Sequence, residues 1–355
     1  MTNSKRVTSL EVAQKAGVSR TTVSFVLNNV PGSNISLETR EKVQKIANDL
    51  GYIPNEAARS LVSGQTRTVG LLISHPEPLL VDAYIPQLLY SLTAASHQNG
   101  YQVMLETLHQ DKQNTDYMHL VEGHRIDGLI VLNTWSHDTK LPKLVKQNFP
   151  LVMYGLPQNM TMNESTYIVS IDGRNTSARA TKHLTDLGHK HIAHITFTPE
   201  KHDLIQSRRQ GYKDALEAAG VAYDPKLVAF GNYSAQSGYD AMKRLLQIKP
   251  QPTALFAGND TIALGAMAAV RDHGLRIPED FAVVGFDDIP TAPFMAPALT
   301  TIHAPAIQQG QIAIEMLLQL MQGKKPMQNC VLLEAPLVIR DSCGANLKAR
   351  APKKR

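Results

Sequence analysis

The sequence predicts an N-terminal all-α helix-turn-helix headpiece followed by an α/β core of two lobes built on parallel sheets. Residues 7 to 61 carry two short helices joined by a tight turn, then a third amphipathic helix. Beyond residue 67, short apolar runs alternate with helical patterns, the mark of parallel strands wound by right-handed crossovers. The roughly 280 residues involved exceed what one such core usually takes, so two lobes are expected.

In the headpiece the caps delimit the helices. Thr8-Ser9-Leu10-Glu11 fits a capping box, in which the Thr8 hydroxyl satisfies one orphan amide and Glu11 reaches back. Val12, Ala13 and Ala16 share one face of the first helix. Gly17 supplies the permissive backbone of the turn, and Ser19 is placed to cap the second helix. There Val23, Val26 and Leu27 turn inward, leaving Arg20, Thr21, Ser24, Phe25 and Asn28 outward. Ser36 caps a third helix whose Val43, Ile46, Ala47 and Leu50 complete a three-helix core. A module of this layout sets its second helix in the major groove of DNA.

The alternative is an ordinary three-helix bundle with a solvated face, and charge argues against it. Residues 1 to 67 hold nine basic and five acidic side chains, and residues 348 to 355 hold five basic and no acidic ones. The net charge of +5 therefore comes from the two ends, around a middle with 22 basic and 26 acidic residues. Between the headpiece and the core, Pro54, Glu56, Ala57, Ala58, Arg59 and Leu61 favour a helix. About eight residues fall short of the ~12 to 15 at which an isolated helix is marginal in water. This helix is expected to form only when a DNA minor groove and its counterpart in a second subunit bury it.

The core strands are read from Val69-Gly-Leu-Leu-Ile73, Tyr101-Gln-Val-Met-Leu105, Gly128-Leu-Ile-Val-Leu132, Leu151-Val-Met-Tyr154 and Tyr167-Ile-Val-Ser-Ile171. A second series follows at His191-Ile-Ala-His-Ile195, Ala254-Leu-Phe-Ala257 and Phe281-Ala-Val-Val-Gly-Phe286. Ligands of such folds sit outside the carboxyl ends of the strands, here in the cleft between lobes. His189, His191 and His194 read as structural, because 191 and 194 point to opposite faces of a strand. Cys330 and Cys343 lack zinc-ligand spacing and are expected as reduced thiols. No phosphate-loop, nucleophile-elbow, zinc-protease or dinucleotide fingerprint occurs, and neither metal nor cofactor is expected. With no apolar leader and no run of about 18 apolar residues, the chain is expected in the cytoplasm.

Val12-Ala13, Gly17-Val18-Ser19, Thr22-Val23-Ser24, Thr39-Arg40, Tyr52-Ile53-Pro54-Asn55 and Ala58-Arg59-Ser60-Leu61 make the chain resemble the lactose-repressor (LacI) family. The similarity runs to about residue 342. It implies that Arg20, Thr21 and Phe25 read bases, while Thr22, Ser24 and Asn28 contact phosphates or orient the helix. Thr8, Ser19, Tyr52, Asn55, Ala58 and Arg59 complete the implied DNA-facing set, and Leu61 becomes the wedge pushed into a base step. Phe25 departs from the polar or basic residue usual in the family. It cannot donate a hydrogen bond, so a thymine methyl or the backbone is its expected contact.

The same resemblance implies a core similar to periplasmic sugar-binding proteins. Arg208, before Gly211-Tyr212, matches the effector-binding arginine, and Asp287, after Val284-Gly285-Phe286, matches the effector-binding aspartate. Asn259 matches a polar pocket position, Tyr233 takes the place of a ring that stacks on the ligand, and Tyr84 lines the first lobe's side. The alternative for Arg208 and Asp287 is an ion pair between lobes or at the surface. The loop from His75 to Ala83 is a few residues longer than in typical members.

The implied organisation is a headpiece over 1–54, a hinge helix and linker over 55–67, a core over 68–345 and a basic tail over 346–355. Lobe one is placed at about 68–171 and 300–331, and lobe two at about 172–299 and 332–345. The implied function is a ligand-controlled transcriptional repressor acting as a homodimer on pseudo-palindromic double-stranded operator DNA. The expected effector is a carbohydrate, with a purine or another small metabolite as the alternative, and either induction or corepression fits the architecture. The family's tetramer-forming leucine repeat is absent from the Lys/Pro-rich tail, which favours a dimer. The rival class is an α/β sugar-metabolising enzyme with an accessory DNA-binding domain, but no activated nucleophile accompanies Arg208, Asn259 and Asp287.

Overall fold

The computed structural model describes residues 7–28, 32–53, 59–60, 63–74, 78–108, 117–132, 138–156, 160–197 and 203–346. They belong to two compact units, Met1–Arg67 and Thr68–Arg355.

The first unit holds α1 (Ser9–Ala16), α2 (Arg20–Leu27) and α3 (Leu37–Asp49). The Thr8 hydroxyl accepts from the Glu11 N–H at 3.4 Å, and the Thr8 N–H donates to the Glu11 carboxylate at 2.7 Å. This is the reciprocal capping box that the sequence predicts. Gly17 ends α1 at φ +69°, a conformation open to a residue without a Cβ. Ser19 caps α2 by accepting from the Thr22 N–H at 3.0 Å, and Ser36 caps α3 through Thr39. Val12, Ala13, Ala16, Val23, Val26, Val43 and Ala47 are buried, with Leu27, Ile46, Leu50 and Tyr52 half-buried around them. The alanines let three short helices approach closely enough to share so small a core.

The second unit contains twelve strands among its described residues. They are β1 (Thr68–Ile73), β2 (Gln102–Thr107), β3 (Gly128–Leu132), β4 (Leu151–Met153), β5 (Ile168–Ile171), β6 (Ile192–Thr196), β7 (Val228–Phe230), β8 (Ala254–Ala257), β9 (Ala282–Asp287), β10 (Thr300–His303), β11 (Cys330–Leu333) and β12 (Leu337–Val338). The first sheet runs β11-β5-β4-β3-β1-β2 and the second β12-β10-β9-β8-β6-β7. All pairings are parallel except β10 with β12. Central strands such as β3, β6, β8 and β9 are buried along their whole length, which is why they read as unbroken apolar runs. The helices that wind these sheets are α4 (Pro78–Val81), α5 (Tyr84–Gln98), α6 (Met118–Glu122), α7 (Lys140–Lys146), α8 (Gly173–Asp186), α9 (Asp203–Ala218), α10 (Ala235–Leu245), α11 (Asp260–Asp272) and α12 (Ala306–Met321).

The chain passes between the sheets after β5, after β10 and after β11. The second passage differs from the sequence expectation, which assigned 300–331 to the first lobe. Thr300 to His303 pair with Val284 to Asp287 of β9, and the Thr301 hydroxyl donates to buried Asp260. Residues 300–303 therefore belong to the second sheet, and the crossover lies at Ala304-Pro305. β12 lies on the second sheet with β10 and β11 on the first with β5. Of the long loop after β1, residues 75–77 lie outside the described residues and 78–81 form α4.

Two glycine contacts set the helices that carry the site. A Cβ on Gly211 would lie 1.9 Å from the Arg174 carbonyl oxygen, so α9 packs directly on the backbone of α8. A Cβ on Gly265 would lie 1.7 Å from the Ala235 carbonyl oxygen, which locks α11 against α10. Arg208 stands one turn before Gly211 on α9, and Asn259 caps α11.

Candidate functional site

Within the second unit the carboxyl ends of both sheets converge on one cavity of about 780 Å3, its open mouth included. Leu132 follows β3 into it, Ile171 comes from β5, Phe197 from β6, Gly258 from β8 and Asp287 from β9. This is where a doubly wound sheet leaves loop backbone and helix N-termini free to hold a ligand. Tyr84, Arg208, Tyr233, Asn259 and Asp287, the five residues singled out by resemblance, all line it.

Arg208 reaches it from α9. One guanidinium N–H donates to the Gly258 carbonyl at 2.9 Å, and its flat face lies 3.6 Å from the centre of the Phe286 ring. The Phe197 ring centre is 4.8 Å away. Its Nε is buried and has no hydrogen-bond partner among the described residues. Burial lowers the guanidinium pKa, and the Asp287 carboxylate is the first of the groups that hold it up. Packing between two rings fixes the plane of the fork, so its free N–H groups point in set directions.

Asp287 ends β9 with φ +114°, and Asp288 follows at φ +56°. Non-glycine residues seldom hold such angles, and neighbouring contacts keep them here. Asp260 lies beneath the turn, accepting from the Ile289 N–H at 2.9 Å and from the Thr301 hydroxyl. Asp288 turns away to Arg340 at 2.6 Å and His303 at 3.0 Å. Asp287 forms no ion pair with Arg208 among the described residues, so the expected alternative of a closed pair is not what the structure contains. Burial raises the pKa of Asp287 well above the ordinary range, reinforced by Asp82 and opposed by Arg208.

Asn259 does three things at once. Its Oδ1 accepts from the Ile262 N–H at 2.8 Å and so caps α11. Its Nδ2 donates to the Tyr233 carbonyl at 3.2 Å and to the Asp82 carboxylate at 2.8 Å. Tyr233, at φ +69°, packs its ring 5.2 Å from that of Phe197. Asp82 spends its other oxygen on the Tyr84 and Ile85 N–H groups, at 2.7 and 3.1 Å, at the start of α5. Tyr84 donates to Gln309 of α12 in a short hydrogen bond, and the buried Tyr154 hydroxyl has no partner among the described residues.

Sequence reasoning missed Asp82, Tyr154, Gln309 and Asp260. Asp82 carries a local signal, an aspartate two residues before a helix, but it lies in the loop noted in the sequence only for its extra length. Tyr154 was read only as a strand residue, and nothing near Gln309 announces its contact with Tyr84. His194, read from the sequence as structural, is stacked between Tyr212 and Phe256 with Nδ1 on the Phe256 carbonyl at 2.8 Å. Burial holds its pKa down at about 4.

In the first unit Arg20, Thr21 and Phe25 are exposed on α2, while Thr22, Ser24 and Asn28 are half-buried. The Arg20 Nε donates to Ser9 at 3.4 Å, and the Asn28 amide donates to Ser24 at 3.2 Å. Thr8 and Ser19 are exposed helix caps, and Tyr52 packs against the three-helix core. Residues 59 and 60 are helical in the chain without DNA or a second subunit, whereas the sequence expectation makes this helix depend on both. Asn55, Ala58, Leu61 and the basic tail after residue 346 lie outside the described residues.

Residues 9–55 match the bacterial regulatory proteins of the lacI family, and residues 181–343 match the periplasmic binding protein-like domain. The HTH-type transcriptional regulator CelR of Thermobifida fusca is 33% identical over 344 residues, spanning 96% of this chain and 100% of that protein. The chain belongs to the LacI family. The LacI-family repressor CytR of Escherichia coli strain K12 is 32% identical over 343 residues, spanning 94% of this chain and 96% of its own. Two solved LacI-family structures share the fold. A Lac repressor dimer bound to operator and the anti-inducer ONPF superposes with a TM-score of 0.83 at 29% identity, covering 95% of this chain and 99% of that one. A CelR–cellobiose complex gives 0.72 at 32%, covering 95% and 100%. This LacI-family chain is a DNA-binding transcriptional regulator, and the enzyme alternative finds no support among relatives that are regulators and repressors. Among the described residues no helix is long and apolar enough to cross a membrane.

Proposed function

We propose that the chain is a homodimeric repressor of pseudo-palindromic operators whose DNA affinity is set by a carbohydrate in the cavity between the two sheets. The cavity carries this reading: Arg208, Asn259 and Asp287 offer fixed donors and acceptors, and Tyr84 and Tyr233 offer aromatic surface. Vicinal hydroxyls need that mixture, and a sugar ring stacks on an aromatic face. A relative that this chain matches over its full length has been solved with cellobiose, and the Lac repressor as a dimer on operator DNA. The regulator acts in the cytoplasm, where its operator lies.

On the DNA side, Arg20, Thr21 and Phe25 read base edges from α2. Thr8, Ser19, Thr22, Ser24, Asn28, Tyr52, Asn55, Ala58 and Arg59 position the module on the backbone, and Leu61 wedges a minor-groove base step. The effector acts through the three chain passages between the sheets, which border the cavity at Ile171 and Ala304. A coupling of about 1–3 kcal/mol between effector and operator is enough for such control.

A thermal-shift panel of sugars, sugar phosphates and nucleobases tests the reading, with each hit repeated on Arg208→Ala. A sugar that stabilises the wild type and changes operator affinity, but does neither in the variant, supports it. A sugar that acts equally on both moves the effector out of this cavity.

A further inference from the structure

Resting on the reading of the cavity as the effector site, we propose that Asp82 makes this site select uncharged polyhydroxylated ligands and reject their phosphate esters. Asp82 is absent from the set that resemblance supplied, and its placement is specific to the geometry above. The residue cannot swing clear of a ligand. One carboxylate oxygen is pinned by the Tyr84 and Ile85 N–H groups, and the other by the Asn259 amide across the cleft at 2.8 Å.

The cavity's charge balance follows from that anchoring. Asp82 and Asp287 are two carboxylates facing one guanidinium, Arg208, which is the single cation among the described lining residues. Part of that guanidinium is already committed to the Gly258 carbonyl and the Phe286 ring. Three N–H donors already point at Asp82, the setting of a carboxylate that only accepts hydrogen bonds, so a ligand that meets it must bring a donor. Sugar hydroxyls donate; a phosphate ester, carrying a charge of about −1.5 to −2 at neutral pH, adds acceptors instead. A phosphate placed here must meet a carboxylate or bring a proton to it, and both outcomes lower its affinity.

Isothermal titration of the full-length protein with matched pairs tests this, using glucose with glucose 6-phosphate and cellobiose with its phosphate ester, and further neutral sugars with theirs. In the wild type the neutral member of a binding pair is expected to win by about 100-fold or more, since like-charge placement costs several kcal/mol. Asp82→Asn keeps one oxygen for the helix cap and removes the charge, and the gap should close to about tenfold or less. Asp82→Ser, also a capping residue, repeats the comparison should Asp82→Asn fail to fold by circular dichroism. A phosphate ester that binds as tightly as its neutral partner, through Arg208, overturns the inference and leaves the effector site standing. An unchanged gap in both Asp82 variants overturns it as well. No binding by any member, in protein that still shifts operator DNA, overturns the carbohydrate reading and this inference with it.

Discussion

Asn259 donates to Asp82 at 2.8 Å, joining the N-terminus of α11 on the second sheet to the start of α5 on the first. The bond crosses the cavity, and each partner also caps the helix behind it. Asp82→Ala therefore removes a cap and a cross-lobe bond together. The expected cost to the core is about 1–2 kcal/mol, the range measured for lost caps. Urea denaturation followed by circular dichroism reads it as a lowered midpoint at constant slope. An unchanged midpoint would mean that water replaces both contacts without loss.

Gly211 governs where Arg208 sits, because a Cβ there would lie 1.9 Å from the Arg174 carbonyl oxygen and α9 could not pack so close on α8. Gly211→Ala must push α9 off α8, at a cost of about 1–3 kcal/mol for overpacking. The displacement also moves the arginine one turn away. Effector affinity should then fall more than the melting temperature alone explains, and a pure stability loss with normal affinity would separate the two roles.

Asp260 couples the turn that presents Asp287 to pH. It is buried under that turn against Gly285, and burial raises its pKa to about 7 from 3.8, opposed by the Thr301 hydrogen bond. Between those values the folded chain holds more protons than the unfolded one, so stability falls as pH rises. The stabilisation is complete below the unfolded value and is lost as pH passes through about 7. Asp260→Asn keeps the shape without the titration, so the variant should gain on the wild type from about pH 4 to about pH 7. Parallel urea midpoints across that window would show that Asp260 is not the group responsible.

Legibility followed locality. The capping boxes and helix boundaries of the headpiece were readable because Thr8 with Glu11, and Ser19 with Thr22, lie three residues apart. β1, β3, β4, β6, β8 and β9 were readable because a parallel strand covered on both faces is largely apolar. β7 and β12 escaped notice as edge strands of three and two residues, only partly buried. β10 was hidden by its polar residues: Thr300 and Thr301 look like loop until the Arg340 N–H that donates to the Thr300 hydroxyl and the Asp260 carboxylate that accepts from Thr301 are known. That concealment produced the misplaced lobe boundary. Five cavity residues were reachable by resemblance, whereas Asp82 depends on a partner 177 residues away and no local pattern carries that information.

Phe25 separates fold from function on α2. Val23 and Val26 are fully buried and supply that helix's share of the core, while Phe25 is 36% exposed. Phe25 is not among the side chains that form or flank the three-helix core, and substitutions away from such a core usually change stability by less than about 0.5 kcal/mol. Its apolar face suits a thymine methyl or the sugar-phosphate backbone, contacts made only in the complex. Phe25→Ala should therefore leave headpiece melting unchanged while weakening operator binding roughly tenfold, about 1.4 kcal/mol. Fluorescence anisotropy on duplexes with thymine replaced by uracil locates the contact: if the ring meets a methyl, one such replacement weakens the wild type and has no further effect on the variant. A headpiece that melts earlier without loss of specificity would instead place Phe25 among the packing residues.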